Sequence, residues 1–454
     1  MDITLSGHYT YRRLLSTAAP CVVMMLVSSV YGIIDGLFIS IFAGKTGFAA
    51  VNVMWPALMV VGAIGLMVGS GGAALLGKIK GEGNNPKANH VFSILIAFIV
   101  SEGILLSGLF ALLCPSLARL LGADSVMLAD CVRYGRICML GMPFFMLQNA
   151  FQSFYMAAEC PKLGTWMSIA CGAVNIALDA LFVWILAWGV TGAAIATVIA
   201  QIVGGVFPLV YFASRRLNRG SLQLNNLWSP RRQKNLTLNP WPYINKACSN
   251  GLSEYVGNIS LSIVSICYNI QLMRYIGQDG VAAYGVVMYL AYLLSAFFLG
   301  YDIALTPVIG YQYGADNIQE QKSILRKSFR LILIAGIALT LAAELTADTT
   351  ARLFVGYDGP LAALTTRAIR IYSLCFLICG WNMFVSALFT GLLNGLVSAT
   401  ASFMRSIVFE MAAVWALPAV AGIDGIWWAV NLAELLTLLF SVFLLFRHVP
   451  HLLR

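Results

Sequence analysis

Charge is what this 454-residue chain has least of. Only 10% of its residues are Asp, Glu, Lys or Arg, against 60% hydrophobic, whereas about a quarter of a soluble protein is charged. That excludes an ordinary water-soluble domain. There are only four histidines: His8, His90, His448 and His451 sit at the edges of apolar runs or in the tails, and no DDxxD-type acidic cluster occurs. A membrane-embedded prenyl or acyl transferase would need a catalytic His or clustered acids near the interface, so no enzyme is expected and no catalytic residue is assigned. The absence of a Walker motif excludes ATP-driven transport by this chain alone. Ten cysteines are scattered without paired spacing, and Cys375 with Cys379 has no His nearby. Neither disulfides nor a metal centre nor a cofactor is indicated; the thiols read as small apolar fillers.

What the chain does have is a series of long apolar segments. Twelve are visible, roughly at 14–42, 51–76, 91–113, 130–157, 164–187, 190–213, 248–275, 281–309, 329–347, 368–391, 396–420 and 423–446. Each can cross about 30 Å of hydrocarbon as a helix. The fold class is therefore an all-α polytopic membrane protein. The first ten residues are polar and the first apolar run is too long for a cleavable leader, so the first span is expected to be its own insertion signal. The net charge of +9 does not point to nucleic acid. Of 28 Lys and Arg, nineteen fall on the side of the termini, eight on the other, and Arg405 inside a span. The positive-inside rule then places both termini in the cytoplasm.

The sequence also repeats itself. A shift of 233 carries Gly44, Gly47, Ala49 and Ala50 onto Gly277, Gly280, Ala282 and Ala283, and Gly77, Gly81 and Asn84 onto Gly310, Gly314 and Asn317. It also carries Asn149, Phe151 and Ser153 onto Asn382, Phe384 and Ser386, and Gly189, Gly192 and Ala196 onto Gly422, Gly425 and Ala429. Six spans per repeat is an even number, so both halves enter the membrane in the same direction and are related by an axis along its normal. The expected organisation is an N-lobe at 1–213, a basic cytoplasmic linker at 214–246 with Pro230, Pro240 and Pro242, and a C-lobe at 247–454.

The lobes differ in their charges. In the fifth span, CGAVNIALDALFVWILAW puts Asn175 and Asp179 four residues apart on one helix face. No Lys or Arg lies within that segment to pair with the acid. A carboxylate at such depth costs at least ~2.5 kcal/mol and should face a bundle interior or a wet cavity. Asp35, two thirds through the first span, adds a second acid to the same lobe. Close together, the two would compete for a proton; flanked by Asn149, Asn175 and Thr197, the same oxygens could instead hold Na+. Under the repeat, Asp35, Asn175 and Asp179 fall on Tyr268, Val408 and Ala412, so these acids have no C-lobe equivalents. In the fourth span Gln148, Gln152, Met146 and Tyr155 offer polarizable and aromatic surface for a substrate, although helix packing explains most such residues. Glu254, near the start of the seventh span, could serve a cationic substrate or a second proton, or pair with a basic group. Arg405 with Glu410 or Glu434 reads as a buried structural pair, and Asp302 is left without a role.

These segments resemble one family nearly from end to end: the multidrug and toxic compound extrusion (MATE) transporters, bacterial branch. The resemblance rests on AAPCVVMMLVSSVYGIIDGLFIS, AAECPKLGTWMSIACGAVNIALDALFVW, WGVTGAAIATVIAQ, GLSEYVGNIS and TPVIGYQYGADN. It implies a cation-coupled antiporter of the bacterial inner membrane that expels organic, often cationic, compounds by alternating access, with antibiotic resistance as one outcome. It also implies a coupling site for H+ or Na+ at Asp35, Asn149, Asn175, Asp179 and Thr197, a second acid at Glu254, and a monomer in the bilayer with small organic molecules as its partners. Two positions depart from the pattern: Ala180 stands where similar sequences often have Pro, and Asp302 where a small or hydroxyl residue is expected. The rival reading is a flippase for a lipid-linked saccharide on the same architecture, which would need a strongly basic cavity rather than the mainly acidic interior found here.

Overall fold

The computed structural model describes residues 4–224, 239–356 and 358–453. Within them the chain is helical throughout, as a bilayer requires of a backbone that can find no water for its N–H and C=O groups. In the first half, α1 (Tyr11–Phe42), α2 (Gly44–Gly81), α3 (Asn85–Leu120), α4 (Leu128–Leu140), α5 (Met142–Ala157), α6 (Pro161–Asp179) and α7 (Gly189–Ala213) follow one another. After α8 (Trp241–Asn250), the second half runs α9 (Leu252–Tyr275), α10 (Gln278–Gly314), α11 (Ile318–Val355), α12 (Gly359–Ser373), α13 (Phe376–Gly391), α14 (Gly395–Phe403) and α15 (Met411–His448). Most of the linker expected at 214–246 lies outside the described residues; α8 begins inside it.

Among the described residues nine helices are long and apolar enough to cross a membrane, or ten when α12 and α13, bent by 47°, count as one. The last of the nine is two crossings, because Gly422 (φ +60°) breaks α15. α4 and α5, separated at Gly141, supply one more. At 13 and 16 residues, neither is long enough to cross alone. The twelve passages read from the sequence are thus accounted for.

The repeat is visible in the turns. Gly44 and Gly277, Gly189 and Gly422, and Gly83 and Asp316 are all 233 apart, and all take positive φ. Glu159 and Leu393, also at positive φ, are 234 apart, so the register slips by one in the hairpin before the fifth and eleventh spans and recovers by Gly422. The two lobes meet along α2 and α10. Gly77 packs on the Pro307 backbone and Gly310 on the Ala74 backbone, while Gly81 packs on Tyr311 and Gly314 on Lys78. The 233-residue shift exchanges the members of each pair of contacts, which is what a pseudo-twofold axis between parallel lobes demands. Small residues are needed here because a Cβ at any of the four would strike the facing backbone.

This seam lies at the end that carries the termini, where the N-terminal segment reinforces it. Leu5 N–H donates to Glu159 Oε1 at 2.8 Å, Tyr9 N–H to Glu320 Oε1 at 2.7 Å, and Lys327 Nζ to the Tyr9 carbonyl at 2.6 Å. The first half of α1 follows the same route: Leu14, Ala18 and Cys21 are buried in the C-lobe core, and Gly300 of α10 packs on Val22. Toward the opposite end, Gly32 and Gly36 of α1 and Gly285 of α10 have nothing within 4 Å of where a side chain would begin.

Candidate functional site

The N-lobe acids are brought together by the packing of α1, α6 and α7. The ring of Tyr31 on α1 lies against Gly172 of α6, and Thr165 of α6 donates to the Pro20 carbonyl at 2.8 Å, so the two helices run parallel with Asp35 level with Asn175. α7 runs antiparallel to α6, fixed where Gly192 meets Phe182 and Gly204 meets Cys171. That register sets Thr197 at a height between Asn175 and Asp179, with Gln201 one turn further on.

Asp35 faces Asp179 and Asn175 closely enough to interact with both. Asp179 is fully buried and Asn175 nearly so. Neither acid forms an ion pair with Lys or Arg among the described residues. Asp35 Oδ1, both carboxyl oxygens of Asp179, Asn175 Oδ1, Thr197 Oγ1 and Gln201 Oε1 are buried and accept no hydrogen bond. A buried oxygen without a donor costs on the order of 1–3 kcal/mol, so a cluster of six is costly unless something cationic satisfies it. A proton held between two carboxyls does so, as does a small hard cation ligated by oxygen. Among the described residues no group of three or more His, Cys, Asp or Glu is arranged for a metal ion.

The helix itself changes at the site. Residues Ala180–Ile185 continue α6 as a π-helix, whose wider turns are frequent at functional positions. The irregularity that a proline at position 180 would have supplied is therefore present without one. Beyond it, Ile39, Val183 and Ala193 form a small apolar cluster that caps the acids on the side away from the termini.

Other expected site residues are placed elsewhere. Asn149 of α5 is buried, but its amide donates to the Gly62 carbonyl of α2 at 3.2 Å, and no contact ties it to the acids. Gln148, Gln152 and Tyr155 line a second N-lobe cavity with Met24, Met167 and Cys171; its volume of about 10 Å³ is room for roughly one water. Met146 does not reach that cavity and belongs to the apolar core, as do Phe151, stacked on Phe212, and Phe154. In the C-lobe, Arg405 donates to Glu434 at 2.8 and 2.6 Å, Asn382 donates to the other Glu434 oxygen at 2.7 Å, and Ser441 donates to Asn382 at 3.1 Å. That network is fully satisfied and holds spans together. Glu254 has Asp302 rather than a base as its charged neighbour. Gln201 was missed in the sequence, although its place four residues after Thr197 repeats the spacing of Asn175 and Asp179. The roles of Glu159 and Glu320 at the seam carry no sequence signal, because their partners, Leu5 and Lys80 for the one and His8 and Tyr9 for the other, are distant in sequence.

A family model described as MatE matches residues 20–181 and, a second time, residues 255–415. The multidrug export protein MepA of Staphylococcus saprophyticus is 21% identical over 444 residues, 96% of this chain and 93% of that protein. MepA of Staphylococcus aureus is 21% identical over 440 residues, with the same coverage. Among solved structures, a MATE in complex with MaL6 aligns with a TM-score of 0.90 at 20% identity, over 99% of this chain and 98% of that one. An outward-facing multidrug resistance MATE family transporter of the MOP superfamily aligns at 0.89 and 20%, over 99% and 97%. A MOP superfamily transporter from Pyrococcus furiosus, for which reversed polarity of the binding pocket suggests a different function, aligns at 0.88 and 21%, over 99% and 98%.

Proposed function

Since the chain belongs to the MatE family, we propose that it is a secondary active multidrug exporter, driven by H+ or Na+, that expels organic and often cationic compounds by alternating access. The observation that carries this reading is the pair of facing carboxyls in the N-lobe, Asp179 buried and Asp35 half-buried, with unsatisfied oxygens around them and no basic partner among the described residues. Asn175, Thr197 and Gln201 complete the set of donors. The membrane is the bacterial inner membrane, and both termini face the cytoplasm. The lock at the termini end supports an outward-open state for this arrangement of the lobes. A single chain supplies both lobes, and a monomer suffices.

The cycle follows from differential binding. Drug enters between the lobes when they part at the cytoplasmic end. Outward opening gives external H+ or Na+ access to the acids, and their neutralisation favours drug release and return. Each ligand needs only unequal affinity for the two states. A lipid-linked saccharide flippase fits less well, because Arg405, the base the sequence places inside a span, is neutralised by Glu434.

The test is efflux of a fluorescent organic cation from proteoliposomes, with proton and sodium gradients imposed one at a time. Wild-type protein responds to at least one gradient, and Asp35→Asn and Asp179→Asn each lose that response at matched protein levels. Gradient-driven efflux that survives in both variants rejects the site.

A further inference from the structure

We propose that a charged crevice on the C-lobe, at the end away from the termini, binds the headgroup of a zwitterionic phospholipid that carries a primary amine. Its volume is about 610 Å³, within the range of small-molecule sites. The floor is α12, whose Ala363, Thr366, Arg367, Arg370 and Ile371 recur at the spacing of one helix face. Asp348 of α11 forms one wall, and Asp424 and Trp428, which follow the Gly422 break in α15, form the other. Arg330 and Asp348 lie about 27 Å apart along α11 at 1.5 Å per residue. That nearly spans a hydrocarbon core of about 30 Å, so the crevice sits at the level of lipid headgroups. On the orientation proposed above, the leaflet is the outer one. The 233-residue shift carries Asp348, Arg367, Arg370 and Asp424 onto Pro115, Tyr134, Ile137 and Thr191. The shared architecture therefore does not require these charges.

The lining can bind both halves of such a headgroup. Arg367 donates to Asp424 through one guanidinium nitrogen, which leaves other N–H groups free. Arg370 lies 3.8 Å from Glu344 Oε2, beyond hydrogen-bond reach, and its side chain makes no hydrogen bond among the described residues. Asp348 pairs with Arg352 at 3.0 Å through one oxygen. The arginines of all three pairs are more than half exposed, so the pairs contribute little and exchange readily for a ligand. Two arginines side by side on α12 suit a phosphate, which guanidinium groups hold through paired N–H bonds. Asp348 and Asp424, on either side, accept from an ammonium group. Two bases against two acids leave the lining neutral, matching a headgroup with one charge of each sign; an anionic headgroup would leave the acids facing it unpaired. The tails find their surface next to the crevice. By i, i+3 and i+4 spacing, Leu341 and Leu345 share the α11 face of Asp348, and Leu432, Leu435 and Leu439 share the α15 face of Trp428; all five leucines are exposed. They run from the crevice toward the bilayer centre, and Trp428 stands at the interface, where indole rings collect. A soluble anion would use the arginines and leave both leucine stripes uncovered.

The test is native mass spectrometry of the full-length protein released from detergent micelles that hold an equimolar mixture of dioleoyl phosphatidylethanolamine, phosphatidylcholine and phosphatidylglycerol. Phosphatidylcholine keeps the charges but has no N–H to donate, and phosphatidylglycerol keeps the phosphate without the amine. Phosphatidylethanolamine is expected to be retained at least about threefold over either. Arg367→Gln combined with Arg370→Gln is expected to lower retention of all three lipids, and Asp348→Asn combined with Asp424→Asn to remove the preference over phosphatidylcholine. A second measurement needs no variant: phosphatidylethanolamine with a diazirine on its acyl chain is cross-linked to the wild-type protein, and adducts are expected within 341–348 and 428–439. Equal retention of the three lipids, a preference unchanged in both variants, or adducts confined to other helices overturns the proposal. So does displacement of the lipid by soluble O-phosphoethanolamine bound in its place, which would make the crevice a site for a free phosphomonoester.

Discussion

Removing the Glu320 carboxylate should loosen the lobes at the termini end. In the locked state it accepts from Tyr9 N–H and pairs with His8 Nδ1, each at 2.7 Å, while only 9% of its side chain is exposed. The His8 side chain is 65% exposed, so that pair adds little. The buried bond to the backbone is charge-assisted and worth about 1.5–3 kcal/mol. It joins α11 of the C-lobe to a segment that is also tied to Glu159 of the N-lobe, so it is lost when the lobes part. Glu320→Ala is therefore expected to raise the population parted at this end by roughly tenfold to a hundredfold. Cys21 reports the change. It is 1% exposed, beside the Val22 contact with Gly300, and becomes reachable when the seam opens. Maleimide labelling of Cys21, followed by mass spectrometry, should accelerate by that factor, while Cys114 and Cys131 in the N-lobe core stay protected. An unchanged rate at Cys21 would refute the argument that the N-terminal segment holds the lobes together. Acceleration at all three thiols would show general unfolding instead.

Other substitutions test the remaining parts. Gly77→Val should force apart α2 and α10 where Gly77 meets the Pro307 backbone, at a cost of about 1–3 kcal/mol to the locked state, and Cys21 labelling should rise without a fall in the amount of folded protein. Arg405→Met leaves Glu434 buried without its cation and should cost about 3–5 kcal/mol; adding Glu434→Gln should recover part of that in thermal unfolding of the detergent-solubilised protein. Asn149→Ala loses one bond to the Gly62 carbonyl, about 1 kcal/mol, and should leave the cation dependence of efflux as it is. If that dependence vanishes in Asn149→Ala at matched folding, Asn149 belongs to the coupling site after all.

The acids were legible because hydrocarbon makes them so. A carboxylate in an apolar span is expensive wherever it lies, and the i, i+4 spacing of Asn175 and Asp179 already set both on one helix face. The repeat was legible from its glycines, since close helix crossing tolerates nothing larger at Gly77, Gly81, Gly310 and Gly314. Periodicity could not distinguish Asn149, which bonds a backbone carbonyl, from Asn175, which faces Asp35. A fixed 233-residue shift assumes unbroken α-helix in both halves, and π-helical stretches at different places in the two lobes, Ala180–Ile185 and Met404–Glu410, rotate side chains away from that register. Long-range ties such as Leu5 to Glu159 depend on the tertiary fold alone.

α1 is what lets the acids and the seam influence each other. Its second half carries Asp35 against α6 of the N-lobe, whereas its first half, through Leu14, Ala18 and Cys21, is packed into the C-lobe core and meets α10 at Gly300. One rigid element therefore belongs to a different lobe at each end. When the lobes separate at the termini end, one of two things must follow: α1 leaves its C-lobe contacts, or it bends near Pro20, where the carbonyl is already turned to Thr165 rather than to the helix alone. In either case the angle at which α1 meets α6 changes, and with it the distance between Asp35 and Asp179. A cation that bridges the two carboxyls favours whichever arrangement brings them together, and by linkage that arrangement binds the cation more tightly. The coupling needs no chain of intermediate residues, because the helix that bears the acid is itself part of the gate.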